Sequence, residues 1–266
     1  CGGGPLLSTT PPALYALAQE QIANANYSRA VDSLARAVRA GPQSQAAQRA
    51  RVLRIALLGG MARGFSDLAA SYLAGHGQAG DSEHASVLRS TAMDYFGRAR
   101  GRSLEMVEAL DALQRDPAAE PLRMAFQPLE NLSADNPVLE QIRHGNPVSD
   151  KERRGAERER IQQGLAGMLV RLGGTERNPQ RLWFHLAQGE VELDPAAFYL
   201  GAARELVEIT KIYSPEALGD KRLTRLYHER AAALARRAAQ LAEEKGDSKL
   251  RDEAGQFLHH LQQTLG

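Results

Sequence analysis

The spacing of apolar residues is the feature that most constrains the fold of this 266-residue chain. From Pro11 onward apolar side chains recur every three or four positions, which is the period of an amphipathic α-helix. No segment shows the convincing alternation at every second residue that indicates a strand. Aromatic residues make up only 5% of the chain, while the helix formers Ala, Leu, Arg, Glu and Gln recur throughout. The sequence therefore predicts an all-α fold whose helices pack closely through small side chains.

Helix starts are indicated by a polar residue followed by proline, because the polar side chain accepts from free N–H groups and proline presets the first helical φ. We predict helix starts at six such pairs: Asp116-Pro117, Asn136-Pro137, Asn146-Pro147, Asn178-Pro179, Asp194-Pro195 and Ser214-Pro215. Near the C-terminus, single apolar stripes run from Phe198 to Tyr213, from Leu223 to Leu241 and from Leu250 to Leu265. We expect the chain to end as a docked helix.

Residues 13–42 resemble a tetratricopeptide repeat, a helical hairpin of about 34 residues. The residues that carry the resemblance are Ala18, Ala30 and Ala37 at the small positions, Tyr27 and Leu34 at the large ones, and Pro42 at the end. Small residues at these sites allow two helix backbones to approach and interlock. The chain departs from the family at Leu14, where Trp is usual, and at Gln21, where an aromatic residue is usual.

A second, more divergent hairpin is predicted at residues 46–77, with Phe65 in the place of Tyr27 and a period stretched by four residues. A lone hairpin cannot bury its apolar face, so further hairpins must pack behind it. The resemblance implies stacked helical hairpins, either a tetratricopeptide-like superhelix or a right-handed α-α array. In the repeat family the inner face comes from the first helices, which implies that Tyr15 and Gln19 contact a partner.

Two interruptions of the helical pattern, together with the first twelve residues, divide the sequence into segments. We predict loops at 74–84 and around 144–160, where mixed charges follow His144. This charged segment is either a partner-binding arm or a solvated helix face with i,i+4 pairs. Residues 1–12 have the Gly, Ser, Thr and Pro composition of a flexible tether. The predicted organisation is a tether at 1–12, a hairpin lobe at 13–145 and a second helical lobe at 146–266 packed on the first.

Cys1, the only cysteine, precedes three glycines. A start of this kind resembles mature bacterial lipoproteins, in which a signal peptide is removed before a cysteine that receives diacylglycerol and often an acyl chain such as palmitate. The resemblance implies a lipid anchor on Cys1, and Gly2 in place of Asp implies the outer membrane, with the domain facing the periplasm or exposed at the surface. The alternatives are a residue left by cloning and an arbitrary domain boundary. Two or three acyl chains would hold the protein firmly, since each buried methylene contributes about 0.8 kcal/mol.

Charge and composition argue against several function classes. The chain carries 33 basic and 32 acidic residues, a net charge of +1, which provides no overall field for nucleic acid. No apolar run reaches the roughly 20 residues that span a bilayer. The glycine clusters at 57–64 and 171–177 lack the Gly-Lys-Ser/Thr ending of a phosphate-binding loop, and we interpret them as helix terminations and turns.

No catalytic constellation is evident. The histidine pairs His76 with His84 and His259 with His260 lack the spacing of metal ligands, so we predict no metal and no cofactor apart from the covalent lipid. Glu190 and Glu192 could in principle form a carboxylate pair for glycan hydrolysis beside Trp183 and Phe184, which we interpret instead as core residues.

We therefore predict a noncatalytic envelope lipoprotein whose helical repeats bind partner proteins. The resemblance implies a role in the assembly or stabilisation of a pilus, secretion or outer-membrane complex, without nucleic acid. The alternatives are a peptidoglycan-acting envelope enzyme on a helical platform and a permanent structural subunit of a membrane complex. The enzyme alternative predicts a cleft that holds a carboxylate of raised pKa among aromatic residues.

Overall fold

A computed structural model describes residues 9–115, 122–125, 136–173, 190–214 and 217–265. Nine α-helices lie in these ranges: α1 (Pro11–Ala23), α2 (Tyr27–Ala40), α3 (Gln45–His76), α4 (Ser82–Arg115), α5 (Pro137–Arg143), α6 (Asp150–Gly173), α7 (Pro195–Ile209), α8 (Lys221–Lys245) and α9 (Ser248–Leu265). A 3₁₀ turn (Thr210–Tyr213) extends α7. The protein is an all-α helical array, as the apolar spacing predicts.

The first hairpin, formed by α1 and α2, matches the unit expected at 13–42. Helix α1 begins at Pro11, one residue before the predicted end of the tether, because Pro11 and Pro12 occupy the first helical positions, which need no N–H donor. Ala18, Ala30 and Ala37 are fully buried, as expected for small residues at a helix crossing. Both helices contact α3.

Two predictions about the segment that forms α3 are wrong. The hairpin expected at 46–77 is one continuous helix of 32 residues, about 50 Å long. The glycine cluster at 57–64 lies in the middle of this helix, and neither ends it nor forms a turn. Gly60 and Gly64 are retained in the helix because α6 crosses them: a Cβ atom on Gly60 would lie 2.5 Å from the Leu165 Cα atom. The gain from this close packing offsets the low helix propensity of glycine.

The remaining helices build outward from α3. Helix α4 pairs with it along its length after a loop at 77–81, within the interruption predicted at 74–84. Helix α6 crosses α3 on another side, α7 packs on α6, α8 on α7, and α9 on α8. The C-terminal stripes are confirmed, with Phe198, Tyr227 and Leu261 among their buried members.

Two of the six predicted caps are confirmed. The Asn136 side chain accepts from two N–H groups of α5, and the Asp194 side chain does the same for α7. The prediction at Asn146-Pro147 is wrong, since α6 begins at Asp150, preceded by a reciprocal pair between Ser149 and Glu152. The prediction at Ser214-Pro215 is also wrong, because Asp220 caps α8 instead, six residues later. Asp116-Pro117 and Asn178-Pro179 lie outside the described residues.

A short antiparallel ribbon accompanies the helices, and the spacing of apolar residues does not predict it. Strand β1 (Leu122–Ala125) pairs with β2 (Glu190–Leu193), in a register that places Leu122 opposite Leu193. Four residues are too few for alternation to stand out against the helical pattern. The ribbon joins the segment after α4 to the segment before α7.

The described part of the chain contains no helix that is both long enough and apolar enough to cross a bilayer.

Candidate functional site

A cleft of about 530 Å³ opens where four helices meet. We call it the Arg98 cleft. Helix α3 contributes Met61 and Phe65, α6 contributes Glu157 and Ile161, and the start of α2 contributes Tyr27, Ser28 and Arg29. From α4 it receives Arg98, Gly101, Arg102 and Glu105. Its volume lies within the range of about 300–1,000 Å³ that is usual for ligand sites.

The floor of the Arg98 cleft is apolar and closely packed. Met61, Phe65 and Ile161 are each only 2% exposed. The Phe65 ring stacks against Tyr95, with 6.1 Å between the ring centroids, and Tyr95 stacks in turn against Tyr72 at 5.6 Å. Offset-stacked rings at these separations stabilise one another, so the floor is a continuous layer of packed apolar side chains.

One wall is an ion pair between α4 and α6. The two terminal nitrogens of Arg98 donate to the two carboxylate oxygens of Glu157, at 3.0 and 2.5 Å. The Tyr95 hydroxyl donates to the same carboxylate at 3.1 Å, and the Arg98 guanidinium lies 4.1 Å from the Phe65 ring centroid. Desolvation lowers the pKa of Arg98, but the hydrogen bond and charge of Glu157 outweigh it and leave the pKa raised. Arg98 is thus held by a carboxylate and an aromatic face together.

The opposite wall joins α4 to the start of α2. One terminal nitrogen of Arg102 donates to both oxygens of Glu105, at 2.9 and 3.1 Å, and the other donates to the Ser28 hydroxyl at 3.1 Å. Arg29, one residue further along α2, is exposed and forms no ion pair with any described residue. With three arginines and two glutamates, the lining carries one positive charge in excess.

Tyr27 fixes the start of α2 beside the cleft. Its ring is 4% exposed, and its hydroxyl donates to the Arg158 carbonyl of α6 at 3.3 Å. Burial raises the pKa of Tyr27, although the charge of Arg158 acts in the opposite direction. The tyrosine that the repeat resemblance places at the opening of α2 therefore connects this helix to α6.

A smaller recess of about 190 Å³ lies between α3 and α7, and we call it the Glu205 recess. Glu205 is fully buried and forms ion pairs with Arg63 of α3 and with Arg171 of α6, the latter at 3.0 Å. Desolvation raises the pKa of Asp67, which also lines the recess, more than the nearby arginines lower it. No aromatic residue lines this recess within the described chain, so Asp67 does not have the surroundings that the enzyme alternative predicts.

The predicted partner-binding residues do not line either cavity. Tyr15 is 8% exposed, and its hydroxyl is buried without a hydrogen-bond partner among the described residues. Desolvation raises the pKa of Tyr15 to about 12, although the charge of Arg49 lowers it in part. Gln19 is partly exposed on the same helix. Their contact with a partner stays a prediction, and Cys1 lies outside the described residues.

The other candidate residues are dispersed. His76 and His84 contact the carbonyl oxygens of Ala85 and Gly145 respectively, and no group of three metal-ligating residues occurs in the part of the chain that the structure describes. Glu190 and Glu192 are on β2. Trp183, Phe184 and most of the glycine cluster at 171–177 lie outside the described residues.

The cleft-lining residues were missed because no local pattern marks them. Arg98 and Glu157 are 59 positions apart, and only the packing of α4 and α6 around α3 brings them together. The one available signal was the mixed-charge segment at 144–160, to which Glu157 belongs. On α6 this segment contributes both a local pair, Arg153 with Asp150, and the long-range pair of Glu157 with Arg98.

Fold and site together define an all-α hairpin array with a charged, aromatic-floored cleft. Comparison with known proteins adds no relative: no family model matches the chain, and neither a curated protein nor a solved structure matches it significantly.

Proposed function

We propose that this chain is a noncatalytic helical scaffold that binds a segment of a partner protein in the Arg98 cleft. The observation that carries the proposal is the cleft itself: an apolar floor of Met61, Phe65 and Ile161 between two walls, one joined by the Arg98–Glu157 ion pair and the other by the hydrogen bond from Arg102 to Ser28. A preformed site of this kind binds without a large ordering cost.

The rest of the described surface supports the choice of this cleft. Val87, at 57% exposure, is the single large hydrophobic residue that is exposed among the residues whose side chains the structure describes. An extended apolar patch is the usual sign of a flat docking surface. Since the described surface offers none, a partner that buries an apolar side chain would do so in the Arg98 cleft.

The envelope setting is part of the proposal and rests on the lipoprotein resemblance. Lipid on Cys1 would attach the chain to the outer membrane, where its partner would belong to a pilus, secretion or outer-membrane complex. Intact mass spectrometry of the protein made from its own gene tests this setting. We expect acyl additions confined to the peptide that contains Cys1 and lost in a Cys1→Ser variant, and an unmodified Cys1 contradicts the anchor.

A glycine in the cleft allows a sharp test of the binding proposal. Gly101 lines the cleft, and a Cβ atom added to it meets nothing within 4 Å. A Gly101→Leu variant therefore fills the cleft without disturbing the backbone. Gly97, one turn earlier on α4, is equally free of neighbours but does not line the cleft, so Gly97→Leu is the matched control. Both changes also raise the helix propensity of α4.

The experiment compares these variants with the unchanged chain as bait in envelope extracts of the organism that encodes it. We expect a partner that the unchanged chain and Gly97→Leu retain and Gly101→Leu loses, and the pair is then measured with purified proteins. Equal retention by Gly101→Leu contradicts the cleft as the binding site. Release of muropeptides from peptidoglycan by the purified chain contradicts a noncatalytic role.

A further inference from the structure

We infer that the Arg98 cleft selects an acidic peptide segment, one in which a large apolar side chain is flanked by Asp or Glu residues. The inference rests on the proposed function and specifies the chemistry of the partner segment. It follows from the way in which the charged groups of the cleft are already used.

The two carboxylates of the cleft are occupied. Glu157 accepts two hydrogen bonds from Arg98 and one from Tyr95. Both oxygens of Glu105 accept from Arg102. The charge of each carboxylate is therefore already balanced by an arginine of the cleft, so a basic ligand would gain little net attraction from Glu157 or Glu105 and would be repelled by the neighbouring guanidinium groups.

The arginines of the cleft have N–H groups that their ion pairs do not use. A guanidinium has five N–H groups, and the side chain of Arg29 uses none of them for an ion pair with a described residue. Arg98 and Arg102 hold their carboxylates through the terminal nitrogens, so the N–H of each Nε atom is not used in these pairs. An incoming carboxylate therefore finds donors without breaking an existing pair, and the excess positive charge of the lining favours its approach.

Because Gly101 has no side chain, the cleft has space at this position for the apolar side chain of the ligand. Gly101 lines the same cleft as Arg98 and Arg102, which flank it on α4, and nothing lies within 4 Å of the position where its Cβ atom would be. A leucine-sized side chain can therefore occupy the space beside Gly101, above the apolar layer that Met61, Phe65 and Ile161 form. Burial of such a side chain would supply the affinity, and the surrounding arginines would supply the selectivity.

The test measures binding of four fluorescent twelve-residue peptides to the 266-residue chain by fluorescence anisotropy. One peptide has a central Leu flanked by Glu, the second has Gln in place of each Glu, the third has Lys, and the fourth keeps Glu but has Ser in place of Leu. We expect the Glu-Leu peptide to bind about tenfold or more tightly than each of the others, with an affinity that falls as salt rises.

Charge reversal of Arg29 checks the assignment. Arg29→Glu should weaken binding of the Glu-Leu peptide about tenfold and that of the Gln peptide by less than about twofold, because only the first loses an ion pair and gains a repulsion. Arg36→Glu is the matched control: Arg36 is exposed on the same helix, about 10 Å further along, and does not line the cleft. Circular dichroism of each variant establishes that it is folded.

The outcomes separate this inference from the proposed function. If the Gln or Lys peptide binds as tightly as the Glu-Leu peptide and Gly101→Leu abolishes that binding, the cleft binds peptides but the acidic class is wrong. If no peptide binds and Gly101→Leu still retains the cellular partner, both proposals fail. If a single-stranded oligonucleotide or an anionic vesicle binds more tightly than every peptide and depends on Arg29, the peptide class is wrong.

Discussion

Gly60 of α3 and Gly164 of α6 lie backbone against backbone, so closely that a Cβ atom on Gly164 would overlap the carbonyl oxygen of Gly60. One turn further along α3, a Cβ atom on Gly64 would lie 2.8 Å from the backbone carbon of Arg160. This crossing positions α6, and with it Glu157 and Ile161, against the Arg98 cleft. The geometry of the cleft thus depends on two helices that are closer together than any side chain would allow.

Replacement of Gly164 by alanine should therefore destabilise the protein even though alanine is the better helix former. The new methyl group must push α6 away from α3, and overpacking of this kind costs about 1–3 kcal/mol. Urea denaturation measures the change in the free energy of unfolding. The control is Gly155→Ala on the same helix, where a Cβ atom meets nothing within 4 Å and the change should stabilise by up to about 1 kcal/mol. Equal stability of the two variants contradicts the close crossing.

The glycines at this crossing explain why the sequence pattern predicts the helical class but also predicts a break in α3 that does not exist. The period of the apolar residues indicates which kind of secondary structure a segment forms, and here it predicts both the all-α fold class and the buried stripes of α7, α8 and α9. A Gly-Gly pair inside a periodic segment usually indicates a turn. Here Gly59 and Gly60 serve a contact with Met168 and Leu165, more than 100 positions away, which no local pattern can show.

A second prediction concerns the ion pairs of the Glu205 recess. Glu205 is fully buried, whereas the side chains of Arg63 and Arg171 are 28% and 37% exposed. Removal of both arginines leaves a carboxylate that cannot reach water, while removal of Glu205 leaves two guanidinium groups that can. We expect the double variant Arg63→Met/Arg171→Met to lose about 3–5 kcal/mol of stability, and Glu205→Gln to lose clearly less.

Chemical denaturation of the purified variants checks this order. The reference for an exposed pair is Arg204→Met, which breaks the 3.4 Å contact with Glu253 and should change the stability by less than about 1 kcal/mol. A larger loss for Glu205→Gln than for the double variant would show that the recess is stabilised by the carboxylate's hydrogen bonds and not by neutralisation of its charge.

A third prediction concerns three buried hydroxyl groups that connect α4 to the C-terminal helices. The Tyr227 hydroxyl donates to Ser103 at 2.8 Å, the Tyr213 hydroxyl donates to Tyr227 at 3.1 Å, and the oxygens of Ser103 and Tyr213 are 2.9 Å apart. Tyr213→Phe and Tyr227→Phe should each cost about 1–2 kcal/mol, since each removes two of the three contacts of this buried network. The double variant should cost less than the sum, because both single changes remove the same bond.

Tyr199 provides the control for this comparison of single and double variants. Its hydroxyl is buried without a hydrogen-bond partner among the described residues, so Tyr199→Phe should be neutral or stabilising. Thermal denaturation of the four variants gives the comparison. Strict additivity of Tyr213→Phe and Tyr227→Phe, or a cost for Tyr199→Phe as large as theirs, contradicts the hydroxyl network.

The candidate site was less predictable from sequence than the fold. The family resemblance predicts that Tyr15 contacts a partner, and in this array the packing of α1 on α2 and α3 buries its ring. Conversely, Arg98 and Arg102 look like ordinary surface arginines of α4. They become part of a site only through their contacts with Phe65, Glu157 and Ser28, which belong to three other helices. Binding residues that are assembled from several helices leave no spacing for a sequence pattern to report.

The last prediction concerns pH. Desolvation lowers the pKa of His228 on α8, which is 8% exposed, below the value of about 6.5 that it has in the unfolded chain. As the pH falls through 6.5, the unfolded state therefore binds a proton that the folded state binds only at lower pH, and unfolding becomes more favourable. The free energy of unfolding should decrease between pH 7.5 and pH 5.5. In a His228→Gln variant this part of the decrease should be absent. Parallel urea titrations of the two proteins at several pH values measure the difference, and identical pH profiles would show that His228 is equally hydrated in both states.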